Sequence, residues 1–251
     1  MSEAPIQVVK ISGDQLDQGS FLKELIHHLR GDAGRTRTIL VHGGGDAVGA
    51  LHQRLSVPFR RDFAIRATSE QSMELVTMVL CGLINKRLVA VCNSAGLSAL
   101  GLCGADLSLL QTEFLNYGLL GRVGGPPRVD TRPLRSLLEA VDLLIVSPVS
   151  LGPDGGLVNI SADLAAQSLA VALAADRLDF VTSTHQVHIL DNLARSLAAS
   201  KIAALIDEAK VTDNVIPALQ AGLAALDGGV ARVRVGDLAS LRHQNATELR
   251  V

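Results

Sequence analysis

Aromatic side chains are nearly missing from this 251-residue chain: they fill 2% of positions, with no tryptophan and one tyrosine. That scarcity excludes a platform on which bases or sugars stack in succession. Cysteine is equally thin. Cys81, Cys92 and Cys103 show no Cys-x-x-Cys spacing, which argues against a zinc site or a disulfide scaffold. No sign of charge is in excess, since 23 Lys and Arg face 25 Asp and Glu for a formal charge of -2. A basic nucleic-acid footprint and an acidic tail are therefore both lacking. No uninterrupted apolar run reaches the eighteen or so residues of a membrane span. The first ten residues lack the charged-then-apolar order of a signal peptide. The expectation is a cytoplasmic globular protein with no nucleic-acid and no membrane partner.

What the chain does have is core-forming material: 48% hydrophobic against 19% charged residues. Short β-branched runs alternate with longer amphipathic stretches. Strands are expected at residues 6–11 (IQVVKI), 38–42 (TILVH), 98–102, 141–149, 180–183 and 230–235. Helices are expected at 22–29, 47–55, 70–92, 162–174, 202–208 and 216–226. Such alternation predicts a three-layer α/β/α sandwich with a mainly parallel central sheet. The Gly- and Pro-rich stretch 118–133 is expected to lie outside that sheet. A soft boundary near Ala174 divides an N-terminal lobe, 1–174, from a C-terminal lobe, 175–251, within one compact unit.

Two features point to a site. TILVH runs straight into Gly43-Gly44-Gly45 and then a helix. Glycines at such a turn let a backbone approach a ligand and aim its N–H groups at anionic oxygens. The pattern is neither the dinucleotide fingerprint nor the Walker motif, and a tight structural turn explains it equally well. Lys10 closes the first strand beside Ser12-Gly13. In a parallel sheet, ligands bind at the carboxyl ends of strands, so Lys10 and Gly43–Gly45 are expected to face one pocket. His185 and His188 are three apart, a spacing that suits a metal on a helix but not on a strand or loop. No metal site is expected.

Lys10-Ile11-Ser12-Gly13 and Val41-His42-Gly43-Gly44-Gly45 resemble the opening of the amino acid kinase family, and within it the acetylglutamate kinases. Further matches follow in the family's order. They are Ile65-Arg66-Ala67-Thr68, Cys81-Gly82-Leu83-Ile84-Asn85-Lys86, Gly101-Leu102-Cys103-Gly104-Ala105-Asp106 and Asn159-Ile160-Ser161-Ala162-Asp163. The resemblance spans residues 8–235. It implies phosphoryl transfer from ATP, with Mg2+, to the side-chain carboxylate of N-acetyl-glutamate on the route to arginine, in a homodimer or higher homo-oligomer. Position by position, it implies that Lys10 touches the phosphates as a catalytic group. Gly13, Gly44 and Gly45 supply backbone donors, Gly44 and Gly45 on the substrate and Gly13 on the nucleotide. Arg66 clamps the amino acid's α-carboxylate and Asn159 binds beside it. Asp163, the second catalytic residue, orients lysine and metal-nucleotide, and Thr184 falls in the nucleotide loop. Read singly, Arg66 is equally a surface ion pair and Asp163 a helix N-cap.

Departures from the pattern gather on the nucleotide side. Ser12 stands where the family commonly has glycine. Ser161 replaces the second Asn of the Asn-x-Asn-Ala-Asp motif. Residues 184–188 (THQVH) lack the glycine and carboxylate of the family's nucleotide loop. Ile216-Pro217-Ala218 sets alanine in the register of the family's Ile-Pro-Lys, whose lysine bridges the migrating phosphoryl group. Two further readings therefore stay open: an aminoadipate-type kinase of lysine biosynthesis, and a catalytically impaired member that acts as an amino-acid-binding or regulatory module.

Overall fold

The computed structural model describes residues 4–250 apart from 17, 59, 63–64, 184–186, 190–191, 209–210 and 212–214. For 60–62, 65–66, 187–189, 192–194, 203 and 207 it describes the backbone alone. Its centre is an eight-stranded sheet. The order across it is Ser196–Ala198, Thr247–Arg250, Val233–Gly236, Arg177–Val181, Ile6–Ile11, Arg37–His42, Leu143–Ser147 and Ala99–Cys103. The last six run parallel, while Thr247–Arg250 is antiparallel to Val233–Gly236.

Period-two alternation sorts the buried side chains onto two faces. Val8, Ile39, Val41, Leu144, Val146 and Phe180 belong to one core, with the helices Thr131–Ala140, Ala162–Ala172 and Ile216–Asp227. Val9, Ile11, Leu40, Ile145 and Val181 belong to the other, with Gly19–Asp32, Glu70–Ser94 and Leu238–Arg242. The three-layer α/β/α expectation holds. The sheet also crosses the expected lobe boundary. Ala174 turns at φ 49°, and Arg177–Val181 then pairs along Ile6–Ile11 in register Lys10↔Phe180.

Several elements differ from the sequence reading. The stretch expected as one strand over 141–149 divides into Leu143–Ser147 and Val149–Leu151. The latter leaves the main sheet for a four-stranded one, ordered Leu157–Asn159, Val149–Leu151, Leu110–Gln111 and Arg128–Val129. The Gly- and Pro-rich excursion thus lies outside the central sheet, as expected, yet contributes a strand to this second one. Residues 70–94 form a single 25-residue helix that widens into a π-helical segment over Met78–Ile84. With a window of mean hydropathy 1.8, it is long and apolar enough, by length and composition, to cross a membrane. A search for unbroken apolar runs passes over it, because scattered polar residues interrupt the run. Here its buried side chains Met73, Val76, Leu80 and Leu88 join the core.

One polar residue locks that helix to the sheet. Asn85 is fully buried, and its Nδ2 donates to the carbonyls of Ile145 (2.9 Å) and Leu102 (3.3 Å) on adjacent strands. Lys86 Nζ donates to Gly101 O at 2.9 Å. A Cβ on Gly101 would fall 2.0 Å from Asn85 Oδ1, so glycine there is what lets the asparagine in. Asn85→Ala removes two hydrogen bonds and leaves a void. It is expected to lower unfolding free energy by about 2–4 kcal/mol in urea titrations. A loss under about 0.5 kcal/mol would show that the asparagine does not anchor the helix.

Candidate active site

At the carboxyl ends of the first two strands the backbone makes two turns that touch. Gly43 N–H donates to Ile11 O at 3.1 Å. A Cβ on Gly13 would lie 2.1 Å from Gly45 N, and one on Gly45, whose φ is +50°, would lie 2.5 Å from Gly13 C. No side chain fits at either position. Ser12, by contrast, sits at φ -78°, ψ 141°, ordinary extended backbone, so its departure from glycine carries no conformational strain.

Beyond the turns opens a cleft of about 240 Å³. Lys10, Ser12, Gly13 and Gly43–Gly45 form one side. Asn159 and Asp163 form another, and Val48, Val76, Leu80, Leu115, Val123 and Ile160 make an apolar wall. Two helices begin at it, Gly45–Arg54 and Ala162–Ala172, so two helix N-termini with partial positive charge meet one opening. The arrangement suits a ligand with anionic oxygens at one end and an apolar portion at the other.

Lys10 shares the sheet face of Val8, which turns it toward the helix Ala162–Ala172. Its Nζ lies 2.9 Å from Asp163 Oδ1, with the two side chains 15% and 13% exposed. The contact is charge to charge. That oxygen is buried and makes no hydrogen bond beyond this ion pair. Asp163 is not the N-cap of its helix. Ser161 is, accepting from Asp163 N–H at 3.2 Å, which puts the carboxylate in the first turn where the helix dipole favours it. Asn159 ends the strand Leu157–Asn159 and donates from Nδ2 to Thr68 Oγ1 at 3.1 Å.

Arg66 has its backbone in the hairpin strand Ile65–Ala67, two residues before Thr68; its side chain lies outside the described residues. So do Thr184 and the His185 and His188 side chains. Ala218 is in the helix Ile216–Asp227, 4% exposed and packed in an apolar cluster rather than lining the cleft. Lys201 is exposed on the helix Ala199–Asp207. Among the described residues lining the cleft, Lys10 is the one cation.

Arg122 is a residue that sequence reasoning missed. Its guanidinium pairs with Glu70, with Asp154 at 2.8 Å and with the Leu157 carbonyl at 3.3 Å, and lies 5.9 Å from the Phe114 ring centroid. Its backbone N–H donates to Thr68 O at 2.7 Å. Arg122 thereby clasps the start of the long helix, the hairpin after Arg66 and the second sheet around the cleft. Its one signal in the sequence is its place inside the Gly121-Arg122-Val123-Gly124 stretch.

His42 ends the second strand directly before the glycines, fully buried, with ring nitrogens 3.2 Å from Gly43 O and 3.0 Å from Ser147 Oγ. Desolvation pushes its pKa down from 6.5 to about 4, against the opposing bond to the Gly43 carbonyl. Between those values the unfolded chain binds a proton that the folded one refuses. Stability from this group is thus full above pH 6.5 and is lost as pH falls toward 4, by about 3 kcal/mol. The expected outcome is that His42→Asn flattens this part of the pH dependence in urea unfolding between pH 7 and pH 4. A slope equal to that of the unsubstituted chain would remove the assignment.

The profile of the amino acid kinase family matches residues 5–237. An acetylglutamate kinase from Roseiflexus sp. (strain RS-1) is 36% identical over 247 residues, covering 98% of this chain and 94% of its own. One from Chloroflexus aurantiacus (strain J-10-fl) is 38% identical over 245 residues, covering 96% and 95%. In three dimensions the chain is similar to the smu.665 protein of Streptococcus mutans UA159, with a TM-score of 0.81 and 29% identity over 92% of this chain and 94% of that one.

Proposed function

Because the chain belongs to the amino acid kinase family, we propose that it is an acetylglutamate kinase-like phosphotransferase acting from ATP on N-acetyl-glutamate. The observation that carries this reading is the meeting of the Lys10–Asp163 pair with two touching glycine turns at one apolar-walled cleft. A side-chain carboxylate oxygen attacks the γ-phosphorus, the bond to the β-bridging oxygen breaks, ADP leaves, and an acyl phosphate forms. Little covalent chemistry falls to the protein; alignment and positive charge do the rest. Lys10 contacts the phosphates, and Gly13, Gly44 and Gly45 aim N–H groups at them and at the substrate. Asp163 holds Lys10 in place and keeps an oxygen toward the nucleotide. Arg66 and Asn159 hold the amino acid, whose acyl methyl and methylenes suit the apolar wall. Thr184 stands on the nucleotide side.

Mg2+ fits as an ion carried mainly by the ATP phosphates. Among the described residues no group of three or more His, Cys, Asp or Glu can hold a metal, and the cleft's carboxylates are Asp14 and Asp163. Residues 1–174 serve the amino acid and, through Lys10, Gly13 and Asp163, the phosphate end of the nucleotide. Residues 175–251 serve the rest of the nucleotide, and the enzyme works in the cytoplasm on a route to arginine.

A second reading rests on Ala218. With a buried methyl in the register of the family's lysine and one cation in the described lining, transition-state charge is poorly met, which favours an impaired, amino-acid-binding member. The test is ADP release in a coupled assay beside calorimetry with N-acetyl-glutamate. The kinase reading expects turnover that Lys10→Met lowers about 10²–10³-fold with KM little changed. It expects Arg66→Ala to weaken N-acetyl-glutamate by about 2–5 kcal/mol. Binding without turnover would select the second reading, and binding of neither ligand would end both.

Self-association is part of the proposal. Met78 and Leu83, 57% and 60% exposed, project from the apolar long helix. A second copy of this chain would cover that face. Sedimentation is expected to give a dimer or larger species that Met78→Lys with Leu83→Lys converts to monomer. A monomeric unsubstituted chain at micromolar concentration would refute it.

A further inference from the structure

A larger opening lies at the other end of the central sheet. Its volume is about 630 Å³, well within the range of ligand sites, and its walls carry Lys23, Arg30, Arg177, Arg232, Arg234 and Arg242. Arg177 opens its strand and Arg232 immediately precedes Val233–Gly236, so the cavity sits at the amino ends of strands. The Lys10 cleft sits at their carboxyl ends, a strand length of roughly 15 Å away.

Three of the six cations have carboxylate partners. Arg234 places both arms of its fork on Asp179, each at 2.7 Å, and donates to Leu241 O at 2.9 Å. Arg177 bridges Asp32 at 2.9 Å and Asp179 at 3.0 Å. Arg232 meets Glu248 at 3.3 Å. Lys23, Arg30 and Arg242 have no carboxylate partner among the described residues, and Arg242 Nε is buried without a hydrogen bond. His28, in the same wall, is 4% exposed and neither ring nitrogen has a partner. Proteins rarely leave a buried imidazole wholly unsatisfied, and three unneutralised cations around one opening repel each other.

We propose that this cavity binds a small, multiply charged anion, phosphorylated or polycarboxylated, through Lys23, Arg30, Arg242 and His28. An anion there would answer the surplus charge and the orphaned nitrogens together. Arg177 and Arg234, already pinned by Asp179, form a fixed wall, so little ordering is needed on binding. The proposal stands independently of the kinase reading.

ATP is also an anion, so the test must separate the two openings. Inorganic pyrophosphate and citrate are titrated separately by calorimetry into the intact chain, Lys23→Gln/Arg242→Gln, Arg30→Gln and Lys10→Met. At least one probe is expected to bind one to one. The double substitution should weaken it at least about tenfold through the loss of charge-assisted contacts, Arg30→Gln should weaken it too, and Lys10→Met should leave it unchanged. Pyrophosphate alone would mark a phosphate ligand, citrate alone a carboxylate ligand, and both a general polyanion site. Two results overturn the proposal. One is no binding of either probe up to about 1 mM. The other is binding lost in Lys10→Met but kept in the double variant, with its circular dichroism unchanged in both.

Discussion

Adjacent parallel strands lie about 4.8 Å apart, and where two of them end together their turns compete for the same space. Here Ile6–Ile11 and Arg37–His42 end side by side, and both turns are resolved by removing side chains. The backbones of Gly13 and Gly45 come so close that a Cβ on either would overlap the other's main chain. With no side chains to lift a ligand away, the floor of the cleft is peptide groups. The same contact brings the start of Gly45–Arg54 to the edge where Lys10 emerges. Ser12 lies beside this contact in unstrained extended backbone, which is why it can depart from glycine while Gly13 and Gly45 cannot.

Charge at the cleft follows from the same geometry. Period-two alternation sends Lys10 to the face where Ala162–Ala172 begins, and Ser161 caps that helix so that Asp163 falls in its first turn. The pair is close to neutral as it stands. A phosphate would compete with Asp163 for the lysine, and two helix ends, worth roughly half a charge each, would add to the attraction. Positive charge is otherwise scarce there. Ala218 faces an apolar cluster, so whatever the cleft does to a migrating phosphoryl group it does with one described ammonium, peptide N–H groups and helix ends.

The six parallel strands of the main sheet were legible because buried parallel strands are short β-branched runs and the helices between them carry a clear apolar stripe. Its two remaining strands, Ser196–Ala198 and Thr247–Arg250, are short, lack such a run and were not expected. The motif order then placed Lys10, the glycines, Asn159 and Asp163, and these do line one cleft. The second sheet was not legible, since strands of two or three residues, such as Leu110–Gln111 and Leu157–Asn159, are too short to show a period. Asp163 was open to misreading as a cap because Ser and Asp both cap helices. Only the backbone reveals that Ser161 holds the extended dihedral. Asn85 read as a motif letter; that its amide ties two strand carbonyls depends on Gly101, sixteen residues away, being empty. Arg122 was silent because its partners, Glu70, Asp154 and Leu157, are brought to it by the fold from both directions along the chain.

A net charge of -2 suggests an even surface, yet it is a sum and holds no information about place. The buried carboxylate of Asp179 shows how the fold redistributes it. Fully buried between strands, it must be answered, and it draws the Arg177 and Arg234 side chains to one side of the sheet. Once those arginines are committed, and Asp32, the acid in the lining, is itself bridged to Arg177, the cations of the neighbouring helices, Lys23, Arg30 and Arg242, have no carboxylate partner among the described residues. One buried aspartate therefore organises a basic wall larger than itself. The same chain carries at opposite ends of a single sheet two openings of different character. One is floored by peptide groups with a matched ion pair; the other is walled by cations in surplus.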